Sequence, residues 1–133
     1  MTNHGLVTLE SAHDFTTTLE RLVTSLEGKR VTIFARIDHA AGAAGVGLVL
    51  RPTTLVIFGS PAAGTPLMQA APTAGIDLPL KALVWQDADG VVKLTYDDPK
   101  WIAERHKLGG KADQAVNAIA VALESFARDA TAR

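Results

Sequence analysis

Apolar positions follow two periods along this 133-residue chain. Between Phe15 and Leu26, the residues Phe15, Leu19, Leu22, Val23 and Leu26 fall at helical spacing and form one stripe. Ser11 or Asp14 can cap the start of that helix, and Gly28 ends it. From Arg30 to Asp38 the period drops to two, with Val31, Ile33, Ala35 and Ile37 on one face and Arg30, Thr32, Phe34, Arg36 and Asp38 on the other. A half-buried strand is predicted there. Gly5 to Glu10 reads as a short first strand. Thr53 to Phe58 is almost continuously apolar and is expected to lie centrally in its sheet. Leu80 to Gln86 and Val91 to Tyr96 form a hairpin joined by Asp87-Ala88-Asp89-Gly90. Helical spacing returns from Ala112 to Thr131, through Val116, Ile119, Ala120, Leu123 and Phe126 or Ala127.

The connections carry their own signals. His39 to Gly47 is an Ala/Gly segment suited to a short helix or turn. Gly59-Ser60-Pro61-Ala62-Ala63-Gly64 reads as a glycine-bracketed turn. Thr65 is then expected as an N-cap, with Pro66 at the first helical position and a short helix from Leu67 to Ala71 stopped near Pro72. Asp98 and Pro99 open a helix over Lys100 to Leu108, closed by Gly109-Gly110. The order strand, helix, strand, strand, hairpin, helix, helix predicts a two-layer α+β fold. One mainly antiparallel sheet of about five strands would be covered by helices. Residues 1–133 are expected to form a single domain.

Composition narrows the function classes. The chain is 47% hydrophobic and carries a net charge of −1, with Lys and Arg scattered. Nucleic-acid binding needs a basic stripe to neutralise phosphates, and none is visible. Cysteine is absent, which removes thiolate chemistry and sulfur-ligated metals. The N-terminus lacks the basic and apolar regions of a secretory signal, and no apolar run of membrane-spanning length occurs. A cytoplasmic protein with no membrane partner is the expectation.

Five short motifs occur in order: Arg36-Ile37-Asp38-His39-Ala40-Ala41, Phe58-Gly59-x-Pro61, Gly64-Thr65-Pro66-Leu67-Met68, Leu78-Pro79-Leu80-Lys81 and Tyr96-x-x-Pro99. Together, from roughly Phe15 to His106, the chain resembles the bacterial and archaeal DUF302 family, a domain of unknown function. The resemblance implies a compact α+β fold, commonly dimeric, soluble unless fused to other parts, and no agreed activity. The family often has Asn where Ser60 stands.

The candidate chemistry is sparse. Gly59, Ser60, Gly64 and Thr65 form a loop where backbone approach is close and a helix start offers N–H groups to an anion. The glycine spacing fits neither the P-loop nor the dinucleotide pattern, and no Lys follows. A packed strand-to-helix turn is the plainer account of it. Asp38-His39 ends a strand, and His39 could ligate a metal with His106 or act as acid/base with a partner such as Tyr96. The plainer account is capping of the next turn. Asp87-x-Asp89-Gly90 lacks the remaining ligands of a calcium loop and reads as a hairpin turn.

Three readings follow. In the first, the protein is a homodimer that binds a small molecule, anion or metal in a pocket lined by Asp38, His39, the Gly59–Pro66 loop and Tyr96. In the second, it is an enzyme with His39 as acid/base or metal ligand. In the third, it is an interaction module using the apolar loop Ala70 to Leu80. The sequence names no cofactor.

Overall fold

A computed structural model describes residues 4–133. Five strands form one sheet: β1 (Leu6–Glu10), β2 (Thr32–Asp38), β3 (Thr53–Gly59), β4 (Leu80–Gln86) and β5 (Val92–Asp97). The helices are α1 (Phe15–Gly28), α2 (His39–Gly45), α3 (Pro61–Ala70), α4 (Pro99–Arg105) and α5 (Asp113–Thr131), with a 3-10 turn at Pro72–Ile76. The strand order is β1-β5-β4-β3-β2, and every neighbouring pair is antiparallel. This is the expected two-layer α+β architecture. The middle strand, however, is β4 rather than the apolar β3, which lies one place from the edge.

Strand alternation and helix stripes meet in one core. Val56 and Phe58 of β3, Ala82 and Val84 of β4, and Leu94 and Tyr96 of β5 are buried together with Leu22 and Leu26 of α1 and Ile119, Leu123 and Phe126 of α5. Phe58 and Phe126 meet edge to face, with ring centroids 6.0 Å apart at 84°. This arrangement suits the aromatic quadrupoles. The opposite face of the sheet carries the half-buried Leu55, Ile57, Leu83 and Trp85, which lie outside the core cluster.

Three aspartates start helices. Asp14, Asp38 and Asp98 accept hydrogen bonds from the backbone N–H of Thr17, Ala41 and Lys100, each at 2.8–2.9 Å. Such caps satisfy N–H groups that have no partner within the helix. The Thr17 N–H holds the Asp14 carboxyl below the ordinary carboxylate range. Ser11, the other cap candidate, instead hydrogen-bonds the Thr18 hydroxyl at 2.6 Å. In the β4–β5 hairpin, Asp87 accepts from the N–H of both Asp89 and Val91, and Gly90 takes a φ of 84°. The motif is a turn whose carboxylate is occupied by its own backbone, which lowers the Asp87 pKa.

Three local expectations change. Ile33 pairs with Phe58 and Ala35 with Ile57, so Phe34 is an extra residue in β2. Such a β-bulge reverses the parity of everything after it, because side chains alternate with period two. Ile37 therefore faces the outer side opposite Leu55 and is 40% exposed, instead of sharing the inner face with Ile33. The second change concerns α3. The six residues read as a turn are mostly its first part: Ser60 is the N-cap, Pro61 occupies the start, and Thr65 and Pro66 lie inside the helix. α4 ends at Arg105, with Leu108 beyond it.

Candidate functional site

The bulge and α3 together shape a cleft. β3 ends at Gly59, and the chain turns through extended Ser60 directly into α3. Across from it, Phe34 stands 54% exposed at the bulge. Leu78 and Pro79 lead into β4 on another side. Between these walls lies a hollow of about 270 Å³, lined also by Gly64, Thr65, Met68, Gly75, Leu80 and Ile119. No charged side chain lines it.

The hollow exists because three of its walls lack side chains. A methyl group at Gly59 would lie 3.7 Å from both Phe34 and Pro79. At Gly64 it would meet Leu78 at 3.4 Å, and at Gly75 it would meet the Met68 sulfur at 3.3 Å. Larger side chains at Gly59 or Gly64 would fill the space outright. Of the predicted site residues, Gly59, Ser60, Gly64 and Thr65 are thus brought together, around an apolar hollow instead of an anion cradle. The helix start is also poorer in donors than expected, since Pro61 has no N–H.

The other predicted residues lie elsewhere. Asp38 pairs with Thr54 at the far end of β3 from Gly59. Five residues of strand separate them, roughly 17 Å at 3.3–3.4 Å per residue. Asp38 is occupied as the α2 cap, and His39 is exposed beside it. Tyr96 points into the core opposite Ala82. Burial raises its phenol pKa, helped by the negative charge of Glu124 and Asp98. His106 belongs to the Gly59 end of the sheet, because its partner Asp77 lies just before Leu80, which pairs with Phe58. His39 and His106 therefore sit at opposite ends and cannot share an ion. Among the described residues, no group of three His, Cys, Asp or Glu could hold a metal.

The position of His106 exposes a cluster that sequence reading missed. Its Nε2 lies 2.6 Å from Asp77 Oδ2, and its Nδ1 lies 2.9 Å from the Thr73 hydroxyl. Arg105 donates to both oxygens of the same carboxylate at 2.9 and 3.1 Å. The His106 side chain is 6% exposed. Hydroxyl, imidazole and carboxylate in a row resemble an acid–base relay. Here Asp77 is shared with Arg105, and neither Thr73, Asp77 nor His106 lines the cleft. The cluster ties the end of α4 to the 72–77 segment and so braces the cleft wall at Gly75 and Leu78. No sequence spacing announces it, since its members are brought together only by the tertiary path.

The loop from Ala70 to Leu80, expected as an apolar surface, divides in two. Ala74 is fully buried, whereas Ile76 is 73% exposed. The strongest exposed apolar run lies elsewhere, at Val46, Leu48, Val49 and Leu50 after α2, with Val49 100% exposed.

Comparison with known proteins agrees with this geometry at the level of fold. The family model described as "Domain of unknown function DUF302" matches residues 7–126. Two proteins named fluoride-specific ion channel FluC 1, from Brucella suis and Brucella abortus, are each 49% identical over 115 residues, or 86% of this chain. The chain spans only 45% and 43% of their lengths. A crystal structure of an uncharacterized conserved DUF302 protein from Bacillus stearothermophilus superposes with a TM-score of 0.84. That match covers 95% of this chain and 98% of the other at 17% identity.

Proposed function

The chain belongs to the DUF302 family, and on that premise we propose that it is a binding domain for a small, uncharged, mainly apolar molecule held in the Gly59–Gly64 cleft. The observation that carries this reading is a concave apolar hollow kept open by Gly59, Gly64 and Gly75, where side chains would otherwise pack. Small-molecule sites are typically concave and mostly apolar, with a few polar groups that orient the ligand. Ser60 and Thr65 are the polar groups available here. An anion would find no cation in the lining, and Pro61 removes one of the helix-start donors. The fluoride-channel name belongs to the longer Brucella relatives, of which this chain spans less than half. Among the described residues, no helix is long and apolar enough to cross a membrane.

Binding of the neutral dye Nile red tests the reading. The wild type should bind it saturably at one site. Gly64→Leu should weaken binding at least tenfold while the protein stays folded, because Leu is a good helix former and its side chain fills the cleft. Equal binding by the variant would refute the proposal. A Val49→Ser control separates cleft binding from dye adsorbed on the exposed run.

A second reading, homodimerisation, is favoured by a specific surface. The outer sheet face carries Ile37, Leu55, Ile57, Leu83 and Trp85 half-buried or exposed, and Val46, Leu48, Val49 and Leu50 form a separate exposed apolar run. Large exposed apolar patches mark association sites. Light scattering at micromolar concentration should give twice the monomer mass, and Val49→Asp should give the monomer. A monomeric wild type at all concentrations would reject this reading.

A further inference from the structure

A second hollow of about 220 Å³ adjoins the cleft between α3 and α5, sharing Gly59, Ser60, Ala63, Leu80 and Ile119 with its lining and reaching Phe126. Along α5, Ala115, Ala118 and Ala122 line this inner lobe at intervals of three and four, so they share one helix face. Their methyl groups leave room where longer side chains would close the gap against Ala62 and Ala63 of α3. Neither lobe has a charged lining residue, and the polar side chains are Ser60 at the waist and Thr65 in the outer lobe.

Taking the cleft reading as its basis, we propose that the ligand is an elongated, flexible alkyl or acyl chain that threads both lobes past the Gly59–Ala63 waist. A compact ring system would occupy one lobe and leave the other empty. An unbranched chain can bend through the waist and remove apolar wall from water in both. At about 30 Å³ for each water-sized methylene, one lobe takes a chain of roughly seven to nine carbons. Longer chains gain only if the lobes connect.

Displacement of Nile red by straight-chain 1-alkanols from four to twelve carbons tests this. In the wild type, affinity should rise about fourfold per methylene through the whole series. Ala118→Phe, which places a ring in the inner lobe from an exposed position, should stop the rise near nine carbons and leave shorter alkanols unaffected. Ala122→Leu serves the same purpose if Ala118→Phe does not fold. A wild-type series that levels off at nine carbons or fewer, or that behaves identically in the folded inner-lobe variant, overturns the two-lobe proposal and leaves the cleft reading standing. Dye binding with no displacement by any alkanol does the same. Failure of both Nile red and alkanols to bind overturns both.

Discussion

Single residues decide whether this molecule has a cavity. Gly59, Gly64 and Gly75 matter through the side chains they lack, and all three have negative or extended backbone that other residues could adopt. Their value is space. His106 acts in the opposite way, by filling. With both ring nitrogens bonded and the side chain nearly buried, it fixes the turn that carries Gly75 and Leu78. His106→Ala should lower stability by about 1–3 kcal/mol in urea unfolding, since it leaves the Thr73 hydroxyl without its imidazole partner and Asp77 with only the half-exposed Arg105. Arg105→Ala should cost less than about 1 kcal/mol, because its half-exposed pair with Asp77 is screened by solvent. Equal losses from both substitutions would show that the imidazole does not brace the wall.

Secondary-structure elements show where sequence patterns were enough and where they failed. The hairpin and α1 were legible because periodicity, caps and turn residues agreed, and α5 was legible from its periodicity alone. Asp14, Asp98 and the Asp87–Gly90 turn carry out the roles their residue types suggest. The β2 bulge was not legible, because an extra residue looks like ordinary alternation until the partner strand is known. The start of α3 was misread for a related reason. Pro66 has the signature of a first helical position, but Pro61 holds that place and Pro66 sits one turn further in. There its missing N–H leaves the Ala62 carbonyl without the usual helical donor. Pro66→Ala should therefore stabilise the protein by about 1 kcal/mol in thermal unfolding, the restored helix bond outweighing the looser unfolded chain. A lower melting temperature would mean that α3 depends on proline at that position.

At the scale of the whole molecule, topology separates the candidates that sequence order had grouped. The antiparallel order places Asp38 and His39 at one end of β3, and Gly59 with the 72–79 wall at the other. The expectation of one pocket combining Asp38, His39, Tyr96 and the glycine loop fails because Asp38 and His39 lie at the other end of the sheet and Tyr96, although nearer the Gly59 end, points into the core. Only the glycine loop remains at the cleft. The fold class was readable from the order of strands and helices, and the family from five ordered motifs. The cleft was not, because its walls come from β2, α3, the 72–79 segment and α5, which meet only in three dimensions.

Whether the cleft takes an apolar ligand is read by amide chemical-shift mapping of uniformly ¹⁵N-labelled protein titrated with 1-octanol. Saturable shifts concentrated at Gly59, Ser60, Gly64 and Gly75, lost in Gly64→Leu, are the predicted result. Shifts confined to Val46–Leu50 and the outer sheet face, or no saturable shift at the cleft glycines, would contradict it.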